Sequence, residues 1–89
     1  IMDYEKLIHS LIDPIVEDPE SILIRTSEGN TPKDLLILIV AEKDDCARLI
    51  GKKGSVANAI REVISVAGKS ENIHIHIKFE SFDEEKVED

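Results

Sequence analysis

The sequence predicts an α+β fold in which three helices cover one face of a three-stranded mixed sheet. Its 89 residues, 42% hydrophobic and 34% charged, suit a single domain with a small core. Three segments have helical periodicity and three have strand patterns, in the order helix-strand-strand-helix-helix-strand. Because two helices separate the second and third strands, we expect those strands to be parallel and joined by a right-handed crossover.

The first element is a predicted amphipathic helix over Asp3–Val16. Asp3 suits the N-cap, and Glu5 in the first turn suits the positive end of the helix dipole. Pro14 removes a backbone donor within the pattern, so we expect the last turn to bend or the helix to end early. Pro19 excludes any continuation. The apolar stripe consists of Leu7, Ile8, Leu11, Ile12, Ile15 and Val16.

Two strands are predicted next, over Ser21–Thr26 and Leu35–Ala41, and residues typical of a loop lie between them at Ser27–Lys33. A hairpin is the simplest connection. The second strand is apolar at every position, which is typical of a central, buried strand. Since helices should cover only one face of the sheet, the opposite face is either covered by a partner or left with isolated exposed aliphatic side chains.

A pair of helices is predicted after the second strand, the first over Asp44–Ile50 and the second over Ser55–Ala67. We expect Asp44 or Asp45 to cap the first helix and Gly68 to stop the second. The predicted buried face of the second helix consists of Val56, Ala59, Ile60, Val63, Ile64 and Ala67.

The last predicted strand, Asn72–Phe79, alternates cleanly between the two faces of the sheet. Its isoleucines point to one face, and His74 and His76 point to the other. The predicted domain therefore comprises residues 2–79. Glu80–Asp89, with six acidic residues and one lysine, is predicted to be a disordered acidic tail.

Composition excludes several classes of protein. The longest unbroken apolar run has seven residues, Leu35–Ala41, whereas a membrane-spanning helix needs about 20. The N-terminal apolar stretch is interrupted by His9, Ser10 and Asp13, so we expect no secretory signal. A single cysteine, Cys46, excludes a disulfide framework and a multi-cysteine zinc site. The expected compartment is the cytoplasm, with no membrane partner.

The net charge and the distribution of charge along the chain lead to different expectations about a nucleic-acid partner. The chain carries −8 at pH 7, which taken globally argues against a nucleic-acid partner. The segment Cys46–Arg61, however, contains four basic residues and no acidic one. Because salt screens charges more than about 8–10 Å away, a local basic patch on an acidic body can still bind a phosphate. The four cations are Arg48, Lys52, Lys53 and Arg61.

The turn Gly51-Lys52-Lys53-Gly54 lies inside this segment and separates the two helices. Two glycines three residues apart allow a tight turn with no Cβ atoms to obstruct close approach. At the N-terminus of the following helix, free N–H groups and the positive dipole end favour an anion. Lys52 and Lys53 add two positive charges. These features suit the clamping of a sugar–phosphate backbone, with neighbouring apolar residues as the floor of a groove for bases.

The context of this turn resembles the KH domain family. The apolar pair Leu49-Ile50 precedes the G-x-x-G motif, and Ile60 is the aliphatic residue six positions after it. The leading helix and strand resemble the type II arrangement of bacterial KH proteins. The chain is little longer than such a domain, as in small stand-alone bacterial KH-domain RNA-binding proteins. The resemblance covers residues 21–79 as a pattern of elements and Asp45–Val63 as a motif.

This resemblance implies a non-enzymatic protein that holds short single-stranded RNA, as an RNA chaperone or post-transcriptional regulator. It also implies a homodimer, and pairing with a second, larger KH-containing RNA-binding protein. The aromatic content of 3% fits a KH domain better than an RRM or an OB-fold, which stack bases on aromatic side chains. The implied RNA-binding residues are Arg48, Leu49, Ile50, Gly51, Lys52, Lys53, Gly54, Ser55, Val56, Ile60 and Arg61.

Simpler interpretations of the same turn remain open. Gly51–Gly54 is compatible with a plain helix–helix turn. It is also compatible with a helix-hairpin-helix DNA-binding element, although the glycines of that element are typically two apart and strands do not usually bracket it. A Walker P-loop is excluded because the G-x-x-x-x-G-K-[ST] spacing is absent.

The remaining reactive side chains predict no catalytic or metal chemistry. His74 and His76 lie two apart on one strand face, but no third ligand accompanies them at a suitable spacing, so they are predicted to face solvent. Cys46 is predicted to be a small packing residue. No nucleophile, base and orienting group form a set, so we expect no enzyme and no cofactor.

A second class of function competes with RNA binding. A KH-fold dimerisation or adaptor module would act mainly through protein partners, and the net charge of −8 and the apolar central strand favour it. A ribosome-associated assembly factor would use the same groove as the RNA-binding protein and differ only in its RNA target. A measurement of RNA binding by the purified protein distinguishes an RNA-binding protein from an adaptor module.

Overall fold

A computed structural model describes residues 2–82, and the predicted acidic tail, Glu80–Asp89, lies outside them from residue 83 onward. Its first two residues, Glu80 and Ser81, belong instead to the last strand, which lies two residues further along the chain than the predicted Asn72–Phe79. The elements follow the predicted order: α1 (Tyr4–Ile12), β1 (Leu23–Glu28), β2 (Asp34–Ala41), α2 (Lys43–Ile50), α3 (Ser55–Ser70) and β3 (His74–Ser81). Two short 3₁₀ turns, Pro19–Ser21 and Lys52–Gly54, precede β1 and α3. The predicted α+β fold, three helices on a three-stranded mixed sheet, is confirmed. Across residues 2–82, no helix combines the length and the apolar character that crossing a membrane requires.

The sheet has the strand order β1-β2-β3, with β2 in the centre as predicted. β1 and β2 form an antiparallel hairpin in which Ile24 lies opposite Ile39. β2 and β3 are parallel, and Ile39 lies opposite Phe79. A parallel pair needs a crossover connection, and α2 and α3 supply it.

The core fills the space between the helices and one face of the sheet. Full burial of one isoleucine or leucine side chain contributes about 1.5–3 kcal/mol to stability relative to full exposure. Isoleucine is the commonest residue of this core, and its β-branched side chain packs well on the inner face of strands. The largest fully buried side chains are Ile8, Ile12, Ile37, Ile39, Leu49 and Ile64.

α1 ends four residues earlier than the predicted span, at Ile12. Asp3 is the N-cap as predicted, since its side chain accepts a hydrogen bond from the backbone N–H of Lys6 at 3.1 Å. Pro14 accounts for the early end because its ring cannot donate a backbone hydrogen bond to continue the helix. Val16 nevertheless remains buried in the core.

β1 lies two residues further along the chain than the predicted Ser21–Thr26. The 3₁₀ turn that begins at Pro19 takes up Ser21. At the other end, Ser27 and Glu28 pair with β2 although they were predicted to lie in the loop. Their side chains are exposed, so the hairpin ladder rather than burial keeps this part of the strand extended.

The predicted helix stop at Gly68 is wrong, because α3 continues to Ser70. Gly68 is buried against β3, and a Cβ atom there would lie 2.7 Å from the Ile73 carbonyl oxygen and 2.8 Å from Ile75 Cδ1. Asn72, with φ of 61°, is the left-handed residue that ends the helix. The Ile73 N–H donates to the Gly68 carbonyl at 2.8 Å, which is the long bond of a Schellman motif. Gly68 therefore allows helix and strand to approach closely.

The buried face of α3 is also rotated relative to the prediction. Ala57, Ile60, Ile64 and Gly68 are its buried residues. Ala59 and Val63 of the predicted face are exposed, whereas Val56 and Ala67 are partly buried. The close contact at Gly68 accounts for the rotation, since it turns this side of the helix toward β3.

Candidate nucleic-acid interface

The turn between α2 and α3 has an unusual backbone conformation. Gly51 has φ 75° and ψ 175°, and Gly54 has φ 78° and ψ 14°. Lys53 is also left-handed, with φ 55° and ψ 27°. A left-handed residue with a side chain costs roughly 1–2 kcal/mol, so the surrounding structure must impose this conformation. Three positive φ angles in four residues carry the chain from one helix into the next.

The two glycines meet different surroundings. A Cβ atom on Gly51 would lie 2.5 Å from Val56 Cγ2 and 2.8 Å from the Val56 backbone nitrogen. A Cβ atom on Gly54 would meet only Asn58 Nδ2, at 3.9 Å. The fold itself therefore requires the first glycine. The second leaves open space beside the backbone, where another molecule can approach.

The two lysines of the turn are exposed, and neither forms an ion pair with any residue between 2 and 82. α3 begins at Ser55, two residues after Lys53, and its N-cap Gly54 supplies no side-chain cap to the first N–H groups. Lys52 and Lys53 thus stand at a helix N-terminus that lacks a side-chain acceptor. This arrangement can accept an anion without breaking an existing salt bridge.

Arg48, by contrast, is already paired. Its Nη1 donates to Asp45 Oδ1 at 2.7 Å, and its Nη2 lies 3.5 Å from Glu17 Oε2. In the folded protein, acidic neighbours therefore neutralise part of the positive charge of the basic segment. Asp45 stands just before that segment, and Glu17 comes from the distant connection between α1 and β1. Lys52 and Lys53 carry the accessible positive charge of the turn.

Asp45 does not cap α2, and the predicted cap is wrong for Asp44 as well. The N-cap is Glu42, which makes no side-chain hydrogen bond. Asp45 is 3% exposed and accepts backbone hydrogen bonds from Glu17 at 2.9 Å and Asp18 at 3.0 Å. These bonds, first that from Glu17, together with Arg48 outweigh the effect of burial and hold the pKa of Asp45 below its usual range. The carboxylate joins α2 to the segment after α1.

Asp45→Asn is expected to destabilise the protein at neutral pH and to remove part of its acid sensitivity. An amide has one acceptor oxygen, so its NH₂ group must face one of the two backbone donors. Because the pKa of Asp45 is lowered by folding, its contribution is complete above the unfolded pKa of about 3.9 and is lost as pH falls through the folded pKa. Melting temperatures from pH 7 down to pH 2.5 measure this dependence.

The exposed neighbour Asp44 provides the matched control, since Asp44→Asn changes the net charge equally. The difference in melting temperature between wild type and Asp45→Asn should shrink as pH falls from the unfolded pKa of about 3.9 through the lower folded pKa, because the unfolded wild-type chain is protonated at this carboxylate before the folded chain. A difference that is constant with pH, or an equal loss in Asp44→Asn, would contradict the role given to Asp45.

Arg61 connects α3 to the edge strand of the sheet. Its Nε and Nη2 atoms donate to the Ile77 carbonyl at 3.3 and 3.2 Å, and its guanidinium lies 5.4 Å from the centre of the Phe79 ring. Its Nη1 also donates to Asn58 Oδ1 at 3.3 Å. Asn58, which is not among the predicted binding residues, lies between Gly54 and Arg61 on the exposed side of α3. Its spacing from those two residues, four and three positions, was the available signal.

The predicted apolar residues divide into two groups. Leu49 is fully buried and Ile60 is 5% exposed, so both belong to the core beneath the turn. Ile50 is 38% exposed, and Val56 is partly buried against the core. The surface of the turn thus combines Gly51–Gly54 with Ser55, Ile50 and Val56. Cys46 is buried in the core, as predicted.

The chain, including this turn, is similar to known proteins of one family. A family model described as "KhpA/KhpB, KH domain" matches residues 5–79. The chain is 34% identical over 74 residues to RNA-binding protein KhpA of Listeria monocytogenes, covering 83% of this chain and 95% of the relative. It is 32% identical over 79 residues to RNA-binding protein KhpA of Bacillus subtilis, covering 89% and 93%. No solved structure gave a significant match. The matched region contains the turn and parts of all six elements.

Proposed function

Because the chain belongs to the KhpA/KhpB KH-domain family, as its motif indicated, we propose that it is a non-enzymatic protein that binds short single-stranded RNA. The two relatives described above are both named RNA-binding protein KhpA, which supports this function. The turn Gly51–Gly54 is the observation that carries it, since open backbone space coincides there with two exposed lysines that form no ion pair with any residue between 2 and 82. We expect the protein to act in the cytoplasm as an RNA chaperone or post-transcriptional regulator.

The proposed contact places an RNA phosphate beside Gly54, where no side chain obstructs the backbone. Lys52 and Lys53 neutralise phosphate charge from the exposed side of the turn. Since few phosphates are contacted, affinity for one short RNA should be on the order of micromolar, with a shallow salt dependence of roughly −0.7 in log–log slope per phosphate neutralised. A homodimer that linked two such sites would increase avidity.

Bases are proposed to contact the side of the turn formed by Ile50, Val56 and Asn58. Ile50 is partly exposed and offers apolar contact, while the amide of Asn58 can pair with base edges. Arg61 flanks this surface, although its bonds to Ile77 limit its freedom to reach a ligand. Leu49 and Ile60 lie in the core beneath this surface.

Charge reversal at the turn tests the proposal. Lys52→Asp/Lys53→Asp should weaken binding of a labelled, unstructured RNA pool by at least about tenfold, which corresponds to roughly 1.4 kcal/mol. Lys6→Asp/Lys33→Asp is the matched control, because both pairs are exposed and both variants change the net charge from −8 to −12. Fluorescence anisotropy at near-physiological salt measures affinity, and circular dichroism checks folding.

Two outcomes would contradict the proposed clamp. Wild-type affinity in the folded turn variant would exclude Lys52 and Lys53 from the interface. An equal loss in the control variant would attribute binding to net charge rather than to this turn.

A second candidate, an adaptor or dimerisation module, is favoured by the open face of the sheet. Leu36 on the central strand is 42% exposed, and Leu23 on the neighbouring strand is 39% exposed. A homodimer or a second KH-containing RNA-binding protein would bury these side chains. Light scattering distinguishes the candidates, because a stable oligomer without measurable RNA affinity favours the adaptor.

A further inference from the structure

Three metal-ligand side chains converge at one end of the open face of the sheet. Asp34 is the first residue of β2, and the parallel register places it opposite His74, the first residue of β3. His76 follows on the same face, since side chains alternate along a strand. One carboxylate oxygen and one imidazole nitrogen from each histidine all lie within 4.8 Å of one another. The third ligand that the sequence did not reveal is therefore supplied by β2.

We propose that Asp34, His74 and His76 form a binding site for a divalent transition-metal ion of the zinc type. Imidazole nitrogen and carboxylate oxygen are ligands that Zn²⁺ binds at about 2.0–2.2 Å, and three protein ligands leave one tetrahedral position for water. Two imidazoles disfavour Mg²⁺ and Ca²⁺, which prefer oxygen ligands. In a tetrahedral site the ligand atoms are roughly 3.3 Å apart, so side-chain rotation must bring the three atoms closer.

The side chains are free to make that adjustment. Within residues 2–82, none of the three has a side-chain hydrogen bond or ion pair, so binding a metal breaks no existing interaction. Both histidines are exposed and Asp34 is partly buried. A surface cavity of about 310 Å³, lined in part by Asn30, Asp34 and His76, provides room for the ion and its water.

The backbone beneath these side chains is held firmly. The Asp34 N–H donates to the Thr31 carbonyl at 3.0 Å, and the Asp34 carbonyl accepts from Gly29 at 2.9 Å. The His74 N–H donates to the Lys33 carbonyl at 2.8 Å. The positions from which the ligands project are thus fixed by the hairpin and by the β2–β3 ladder. Only side-chain torsions need to change on binding.

Metal titration of the full chain, with any purification tag removed, tests this site. Excess Mg²⁺ occupies oxygen-only sites, and Co²⁺ followed by Zn²⁺ serves as the probe. We expect one equivalent of Co²⁺ to give visible absorption that Zn²⁺ abolishes, and we expect Zn²⁺ to raise the melting temperature.

Single substitutions assign the ligands. His74→Gln, His76→Gln and Asp34→Asn should each weaken Zn²⁺ binding at least about tenfold. His9→Gln is the matched control, since His9 lies on α1 and its ring is already bonded to Asp13 at 2.9 Å. The site is refuted if wild type binds neither ion, if the three folded variants bind as tightly as wild type, or if His9→Gln weakens binding equally.

Discussion

Gly51→Ala is expected to lower the free energy of unfolding by about 3 kcal/mol or more, the sum of backbone strain and a steric clash. The φ of 75° and ψ of 175° at Gly51 lie in a region that residues with a side chain hardly enter. The new Cβ would also lie 2.8 Å from the Val56 backbone nitrogen, an atom that cannot move without shifting α3. Domains of this size are stable by only about 5–15 kcal/mol, so urea unfolding should show a large loss.

Gly54→Ala is the matched comparison for this prediction. Its φ of 78° also disfavours alanine, at a cost of roughly 1–2 kcal/mol, but its Cβ would meet only open space and Asn58 at 3.9 Å. The variant should stay folded and lose RNA affinity, because the methyl group occupies the place proposed for the RNA backbone. Equal destabilisation by both substitutions would contradict the division of roles. Undiminished RNA binding by folded Gly54→Ala would exclude contact there.

The second large effect is expected at Leu49, next to the turn. Leu49 is fully buried, and Leu49→Ala should reduce stability by about 2–5 kcal/mol through lost burial and a cavity. Ile50 is 38% exposed, so Ile50→Ala should cost much less, about 1 kcal/mol or below. Urea unfolding of both variants measures the difference.

The effect on RNA affinity should be the reverse of the effect on stability, with the larger loss in Ile50→Ala. Ile50→Ala removes a proposed contact with bases and should weaken binding severalfold, whereas Leu49→Ala should bind as wild type wherever it remains folded. Anisotropy at a temperature well below both melting points makes this comparison. Equal affinity in wild type and Ile50→Ala would exclude the apolar contact, and a specific loss in folded Leu49→Ala would indicate that the core shapes the turn.

Local patterns were sufficient for the element order, the central strand and the position of the turn. Alternation identified β3, continuous apolar residues identified β2, and the glycine spacing identified the break between α2 and α3. The N-cap at Asp3 was equally predictable from the sequence, because N-capping depends on residues within one helical turn. The KH resemblance followed from the same local features, since its motif occupies one short segment, and the family match confirms it.

Features that depend on contacts between distant segments could not be predicted from local sequence patterns. Gly68 has the residue type of a helix stop, yet its close contact with Ile73 and Ile75 makes it an interior residue of α3. Arg48 belongs to a basic segment in the sequence, but Glu17 reaches it from another part of the chain. Leu49 and Ile50 are equivalent as an apolar pair, and only the packing of α2 against the core separates them.

The sequence by itself thus determined which secondary structures form, their order and the chemistry of the turn, because periodicity, capping and glycine conformation act over a few residues. The tertiary structure alone decided which charges remain unpaired and which apolar side chains remain accessible. It also decided that Asp34 lies opposite His74, forty positions later in the chain. The parallel pairing of β2 with β3 creates that contact, and strand register depends on the packing of the whole sheet.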